Sequence, residues 1–368
     1  MHPRIYALRQ AGVSIWLDTL SRRLLDSGRF AALVREDGVT GATSNPTIFA
    51  RALAEDDGYA PELRRHAAAG ATGTRELFFA VALGDVRRAA ALLAPVHTAS
   101  GGRDGFVSFQ TTPDLADDAA GMVEQALDLW RRLSRPNVLI KVPATAAGVG
   151  ATEELVACGV NVNVTLLFSL ERYDAIIEAY LRGLERRLAA GRPLAGIASV
   201  ASFFVSRVDA KADAVLPPSS PARGEVAIAN AELAYELQRA RFAGERWEQL
   251  RAAGAEAQRL LWASTATKDP AYSDVRYVER LIAPGVINTM PERTLRAFAD
   301  HGTVGPPMGD AERARRVLDA AAADGADLAA LAQELEREGV AAFDASYEQL
   351  QERIVAVLAA SERATVGP

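Results

Sequence analysis

The chain has 368 residues (39.2 kDa), is 49% hydrophobic, and carries a formal net charge of −6 with a pI near 5.5. That length suits one large α/β domain or two smaller ones, the apolar content supports a substantial core, and the acidic balance argues against nonspecific binding to nucleic acid or an anionic membrane. One cysteine, Cys158, excludes an internal disulfide framework and a cysteine zinc site, while His2, His66, His97 and His301 lie scattered without ligand spacing.

The N-terminal Met1-His2-Pro3-Arg4-Ile5 has no apolar signal region, and no run reaches the length that spans a bilayer, so the chain reads as a metal-free cytoplasmic protein. Eight short apolar or β-branched runs then follow in order: 13–18, 41–45, 105–110, 138–143, 160–168, 197–206, 260–264 and 286–290. Each precedes a stretch of helical period, such as 117–132 after the third and 170–190 after the fifth. Eight such units predict an α/β fold, a closed (β/α)₈ TIM-type barrel. The breakers Pro217-Pro218-Ser219-Ser220-Pro221 mark a surface excursion before a helix at 224–241, and Thr303-Val304-Gly305-Pro306-Pro307 mark a second loop before terminal helices at 310–362. No compositional break divides the chain. The expectation is a single barrel domain over 1–368 with additional surface and C-terminal helices, around 216–258 and 310–362.

Polar residues gather at or near the C-terminal ends of these runs: Asp18, Asn45, Gln110, Lys141, Thr165, Ser202, Ser264 and Thr289. A barrel places all of those ends on one face, where such folds build their sites. Lys141 is the most informative. It sits in Asn137-Val138-Leu139-Ile140-Lys141-Val142-Pro143, in a chain whose other lysines are only Lys211 and Lys268. Burying the cation there costs several kcal/mol, and a desolvated amine falls toward neutrality, where it attacks carbonyls. A lysine snorkelling from an edge strand would look the same in sequence. Asp18 reads equally as an N-cap for 20–25, Asn45 as a turn residue before Pro46, Thr165 as an ordinary strand residue, and Arg207 as one surface arginine among many.

Four segments in order and spacing carry a resemblance over nearly the whole chain: Thr43-Ser44-Asn45-Pro46-Thr47-Ile48-Phe49, Leu139-Ile140-Lys141-Val142-Pro143-Ala144-Thr145, Asn163-Val164-Thr165-Leu166-Leu167-Phe168-Ser169, and Ser199-Val200-Ala201-Ser202-Phe203-Phe204-Val205-Ser206-Arg207. The chain resembles the transaldolases, in the longer form of actinobacteria and related lineages. The resemblance implies a class I aldolase-type barrel, a transferase of the pentose phosphate pathway that acts on sugar phosphates as a monomer or homodimer and needs no metal or organic cofactor. It makes Lys141 the Schiff-base lysine and Asp18 the acid/base, has Asn45 and Ser202 hold the dihydroxyacetone unit, counts Thr43 among the substrate-binding residues, and has Asn163 and Thr165 position hydroxyls and the catalytic water. It assigns the phosphate to Arg207, with Ser264 and Lys268 as the second half of that site.

The third-strand segment departs from the pattern. Transaldolases usually carry glutamate where this chain has Gln110, and an acidic residue near Thr112. An amide orients water but takes up no proton at neutral pH. The fructose 6-phosphate aldolase branch has glutamine here but tyrosine at the position of Phe204. The readings left open are therefore a transaldolase, an aldolase-like or specialised transaldolase-like enzyme, and a catalytically degenerate sugar-phosphate binder.

Overall fold

The computed structural model describes residues 1–365. Eight parallel strands close into a barrel in sequence order: β1 (Ser14–Leu17), β2 (Gly41–Thr43), β3 (Val107–Gln110), β4 (Val138–Pro143), β5 (Val162–Leu167), β6 (Ser199–Phe204), β7 (Arg259–Ala263) and β8 (Ile287–Met290). Seven of the eight fall within the expected runs, and β7 begins one residue before its run, at Arg259. The central ones, β3 to β6, are buried at every residue because helices cover their outer faces and side chains fill the interior.

Polar residues just beyond the strands turn the chain into helices. Asn45, Thr145 and Ser169 each accept a backbone N–H with their side chains and cap the helices Pro46–Glu55, Ala146–Cys158 and Leu170–Ala189. Pro46, at the first helical position, needs no N–H partner. The regular alternation fails after β7. Residues 264–275 are irregular and only the short helix Arg276–Arg280 precedes β8, because Ser264 takes a left-handed conformation (φ 57°) that directs the chain away from a helix. The helix expected at 224–241 begins at Val226, since Gly224 has φ 69°.

The terminal helices are Ala311–Ala323 and Leu328–Thr365. The second is tied to the C-terminal face of the barrel at several points. Lys211 pairs with Glu334 at 2.7 Å and with Glu338, Arg172 pairs with Glu336 at 3.4 Å, and Thr47 shares a 2.8 Å hydrogen bond with Ser346. A bulge in β5 gives Leu166 a left-handed φ of 62°, and its side chain lies so close to Gly339 that a Cβ there would stand 2.8 Å from Leu166 Cδ2. At the opposite end, Arg259 closes the barrel floor: it donates to Ser14 Oγ (2.8 Å), Arg103 O (2.8 Å) and Gly285 O (2.9 Å), and Asp104 accepts from Ser14 Oγ (2.5 Å) and Trp16 Nε1 (2.8 Å). Among the described residues no helix is long and apolar enough to cross a membrane.

Candidate active site

Lys141 lies in β4, flanked in register by Gln110 of β3 and Asn163 of β5. It is 5% exposed, and its Nζ donates a long hydrogen bond of 3.5 Å to Ser44 O. A closed barrel has no edge strand, so the snorkelling alternative has no place here. Burial pushes the Lys141 amine down to about 8, with Asp18 pulling in the other direction.

Asp18 stands one residue past β1, where its N–H donates to Met290 O at 2.9 Å. Thr43 Oγ1 donates to its Oδ1 at 3.3 Å and lies 3.2 Å from Thr289 Oγ1. Burial raises its pKa, against the opposing pull of Lys141, the Thr43 hydrogen bond, Lys268 and Arg207. The capping role that the sequence also allowed belongs instead to Ser21, whose Oγ accepts Leu24 N–H at 3.2 Å before the helix Arg22–Asp26.

Below the amine runs a polar chain. Ser202 Oγ donates to Asn163 Oδ1 (2.7 Å), Asn163 Nδ2 donates to Ser108 Oγ (2.9 Å), and Ser44 Oγ donates to Ser108 O (2.7 Å). Asn163 thus spends both ends of its amide on neighbouring strands and fixes the hydroxyl of Ser202. Asn45 spends its Oδ1 on the cap to Ile48 N–H at 2.9 Å, which leaves its Nδ2 as the group able to meet a ligand. Among the candidate site residues, two buried oxygens have no partner: Oε1 of Gln110, a residue 5% exposed, and Oγ1 of Thr165, which is fully buried. Each costs about 1–3 kcal/mol unless a ligand or water completes it, so folding alone does not account for the pair.

Arg207, Lys268 and Ser264 follow β6 and β7 on the same face. The Arg207 guanidinium lies 5.6 Å from the centre of the Phe204 ring, and Phe204 rests against Phe168 at 5.1 Å. Burial lowers the pKa of Arg207, and it lowers that of Lys268, followed by the nearby charges of Arg207 and Arg293. Ser264 Oγ meets Ser206 Oγ at 2.9 Å, and Ser206 N–H donates to Ser264 O at 3.1 Å. Two charges near this site escaped the sequence reading. Arg293 lies just beyond β8, where the strand-end rule that singled out Thr289 could have found it. Glu338, whose charge is felt at Arg207, comes from the last helix and carries no local signal. Among the described residues no group of three or more His, Cys, Asp or Glu is placed to hold a metal ion.

Fold and layout set the class as an α/β barrel with its polar groups collected on the C-terminal face. Within that class the comparisons are specific: the family described as Transaldolase/Fructose-6-phosphate aldolase matches residues 15–354. Curated relatives include Transaldolase 1 of Streptomyces coelicolor, 49% identical over 93% of this chain and 92% of its own. Others are the Transaldolase of Parafrankia sp. (47%, over 94% and 96%) and that of Thermobifida fusca (47%, over 96% and 98%). The chain belongs to the transaldolase/fructose-6-phosphate aldolase family.

Proposed function

We propose that the protein is a transaldolase: it transfers a dihydroxyacetone unit from a ketose phosphate to an aldose phosphate through a Schiff base on Lys141. The observation that carries this reading is a buried amine in the centre of the barrel whose pKa is pushed down to about 8. With its pKa at about 8, roughly a tenth of Lys141 is free amine at pH 7, against well under about 0.1% for an ordinary lysine.

The free amine adds to the C2 carbonyl, and the carbinolamine loses water to give an iminium. Asp18 takes the proton of the C4 hydroxyl, the bond between C3 and C4 breaks, and its electron pair moves into the iminium to leave an enamine. The aldose departs. An incoming aldehyde is attacked by the enamine carbon, Asp18 returns its proton to the new hydroxyl, and hydrolysis of the iminium frees Lys141. The iminium is itself the electron sink, so these steps draw on no metal or organic cofactor. Ser202 and Asn45 Nδ2 hold the three-carbon unit, while Thr43 keeps Asp18 in place. Arg207, Lys268 and Ser264 receive the phosphate.

The test is borohydride reduction with fructose 6-phosphate followed by peptide mass spectrometry. An adduct on Lys141 is expected, and its absence with every ketose phosphate tried would refute the Schiff-base reading.

Gln110 favours a second reading, a class I aldolase that releases free dihydroxyacetone. The unpaired Oε1 of Gln110 and Oγ1 of Thr165 can orient the water that enters and leaves the carbinolamine, but neither accepts its proton at neutral pH. A carboxylate in place of Gln110 supplies that acceptor beside Lys141, so Gln110→Glu is expected to raise transfer turnover about tenfold or more. Steady-state rates with and without an acceptor aldehyde check both points. No gain in the variant, together with dihydroxyacetone release that ignores the acceptor, would move the assignment to the aldolase.

A further inference from the structure

We propose that Arg293 is a third cation of the phosphate site and a specificity-determining residue for phosphorylated substrates, an inference that rests on the phosphate reading above. Arg207, Lys268 and Arg293 follow β6, β7 and β8, three strands adjacent in the barrel, and they reach the same end of it. Arg207, Lys268 and Arg293 share that end of the barrel without an ion pair to a carboxylate among the described residues. Lys268 carries the mark of the cluster, since Arg207 and Arg293 both disfavour its protonated form.

Arg293 is placed where folding gains nothing from it. It lies in the first turn of the helix Glu292–His301, where a positive charge opposes the helix dipole, and it adds to the repulsion at Lys268. Its neighbour on the helix, Glu292, already serves Arg29 (2.5 Å) and Arg296 (3.3 Å). A bound dianion turns this cost into attraction. Barrels of this architecture often hold phosphate between the loops after their seventh and eighth strands, which is where Lys268 and Arg293 stand. A sugar phosphate is therefore gripped from three strands, and an unphosphorylated sugar receives nothing from Arg293.

The experiment compares the full-length protein with Arg293→Ala and Arg296→Ala; Arg296 shares the helix but pairs with Asp37 at 2.8 Å. Inorganic phosphate is titrated by calorimetry, kcat and KM are measured for fructose 6-phosphate, and melting is followed without ligand. For Arg293→Ala, phosphate affinity is expected to fall about tenfold and KM to rise by a similar factor, with kcat within about twofold and melting unchanged or higher. Arg296→Ala is expected to leave phosphate affinity unchanged. Unaltered phosphate affinity in Arg293→Ala, or a loss accompanied by earlier melting, overturns the role of Arg293 alone. A wild-type protein that binds no phosphate yet still traps fructose 6-phosphate on Lys141 overturns the phosphate reading and this inference together.

Discussion

Lys141→Met is expected to abolish transfer, lowering turnover by about 10⁴-fold or more, because in the proposed mechanism this residue forms the covalent bond on which every later step depends. The same variant is expected to be more stable. Methionine keeps the length of the side chain without the buried charge, and the pKa of about 8 means that the folded protein binds the Lys141 proton more weakly than the unfolded chain does. The sign follows from that difference. The penalty is present in full below about pH 8, shrinks as the pH rises, and is gone above the ordinary lysine value of 10.5. At pH 7 the gain should be about 2 kcal/mol, after allowing for the partner that Asp18 loses, and it should fade as the pH approaches 10.5. Urea unfolding at pH 7 and pH 10, beside a coupled activity assay, checks both parts. A variant that is inactive and also less stable at pH 7 would mean that Lys141 is held by contacts rather than exposed to chemistry.

On the proposed mechanism, Asp18→Asn separates the acid/base from the nucleophile. The amide preserves the shape of the side chain and an acceptor for Thr43 Oγ1, but it cannot take the C4 proton, so turnover is expected to fall by about 10² to 10⁴-fold. Schiff-base formation should survive. Asp18 is the one carboxylate that raises the Lys141 pKa, so its loss leaves the amine less protonated and ready to attack. Borohydride trapping with fructose 6-phosphate should therefore remain at least as efficient as in the wild type while transfer fails. Loss of trapping together with turnover would assign Asp18 to the shape of the pocket and remove it from the proton path.

The barrel was legible because parallel strands covered on both faces are mainly apolar and β-branched, and the runs at 138–143, 160–168 and 197–206 are of that kind, broken only by small, hydroxyl and amide side chains and by Lys141. Lys141 was legible for the same reason, as the one charge in such a run. Other features were not. The engagement of Asn163 with Ser108 and Ser202 depends on the stagger between strands, which closure of the barrel sets and no single segment encodes. Asn45 caps the helix with one end of its amide and leaves the other free, so the turn reading described only half of the side chain. The loop after β7 looked like the start of another unit because nothing in Ser264 announces a left-handed backbone. Glu338 meets the site only because the chain returns to the barrel mouth after more than 170 intervening residues beyond β4, a distance that local patterns do not bridge.

The closed floor beneath the site has a kinetic consequence. With Arg259 bonded across the bottom to Ser14, Arg103 and Gly285, and the interior packed with side chains, the barrel has no rear exit. Whatever enters must leave by the same mouth. On the proposed mechanism, the aldose split from the donor has to clear that opening before an acceptor can reach the enamine, a single-door exchange consistent with ping-pong kinetics.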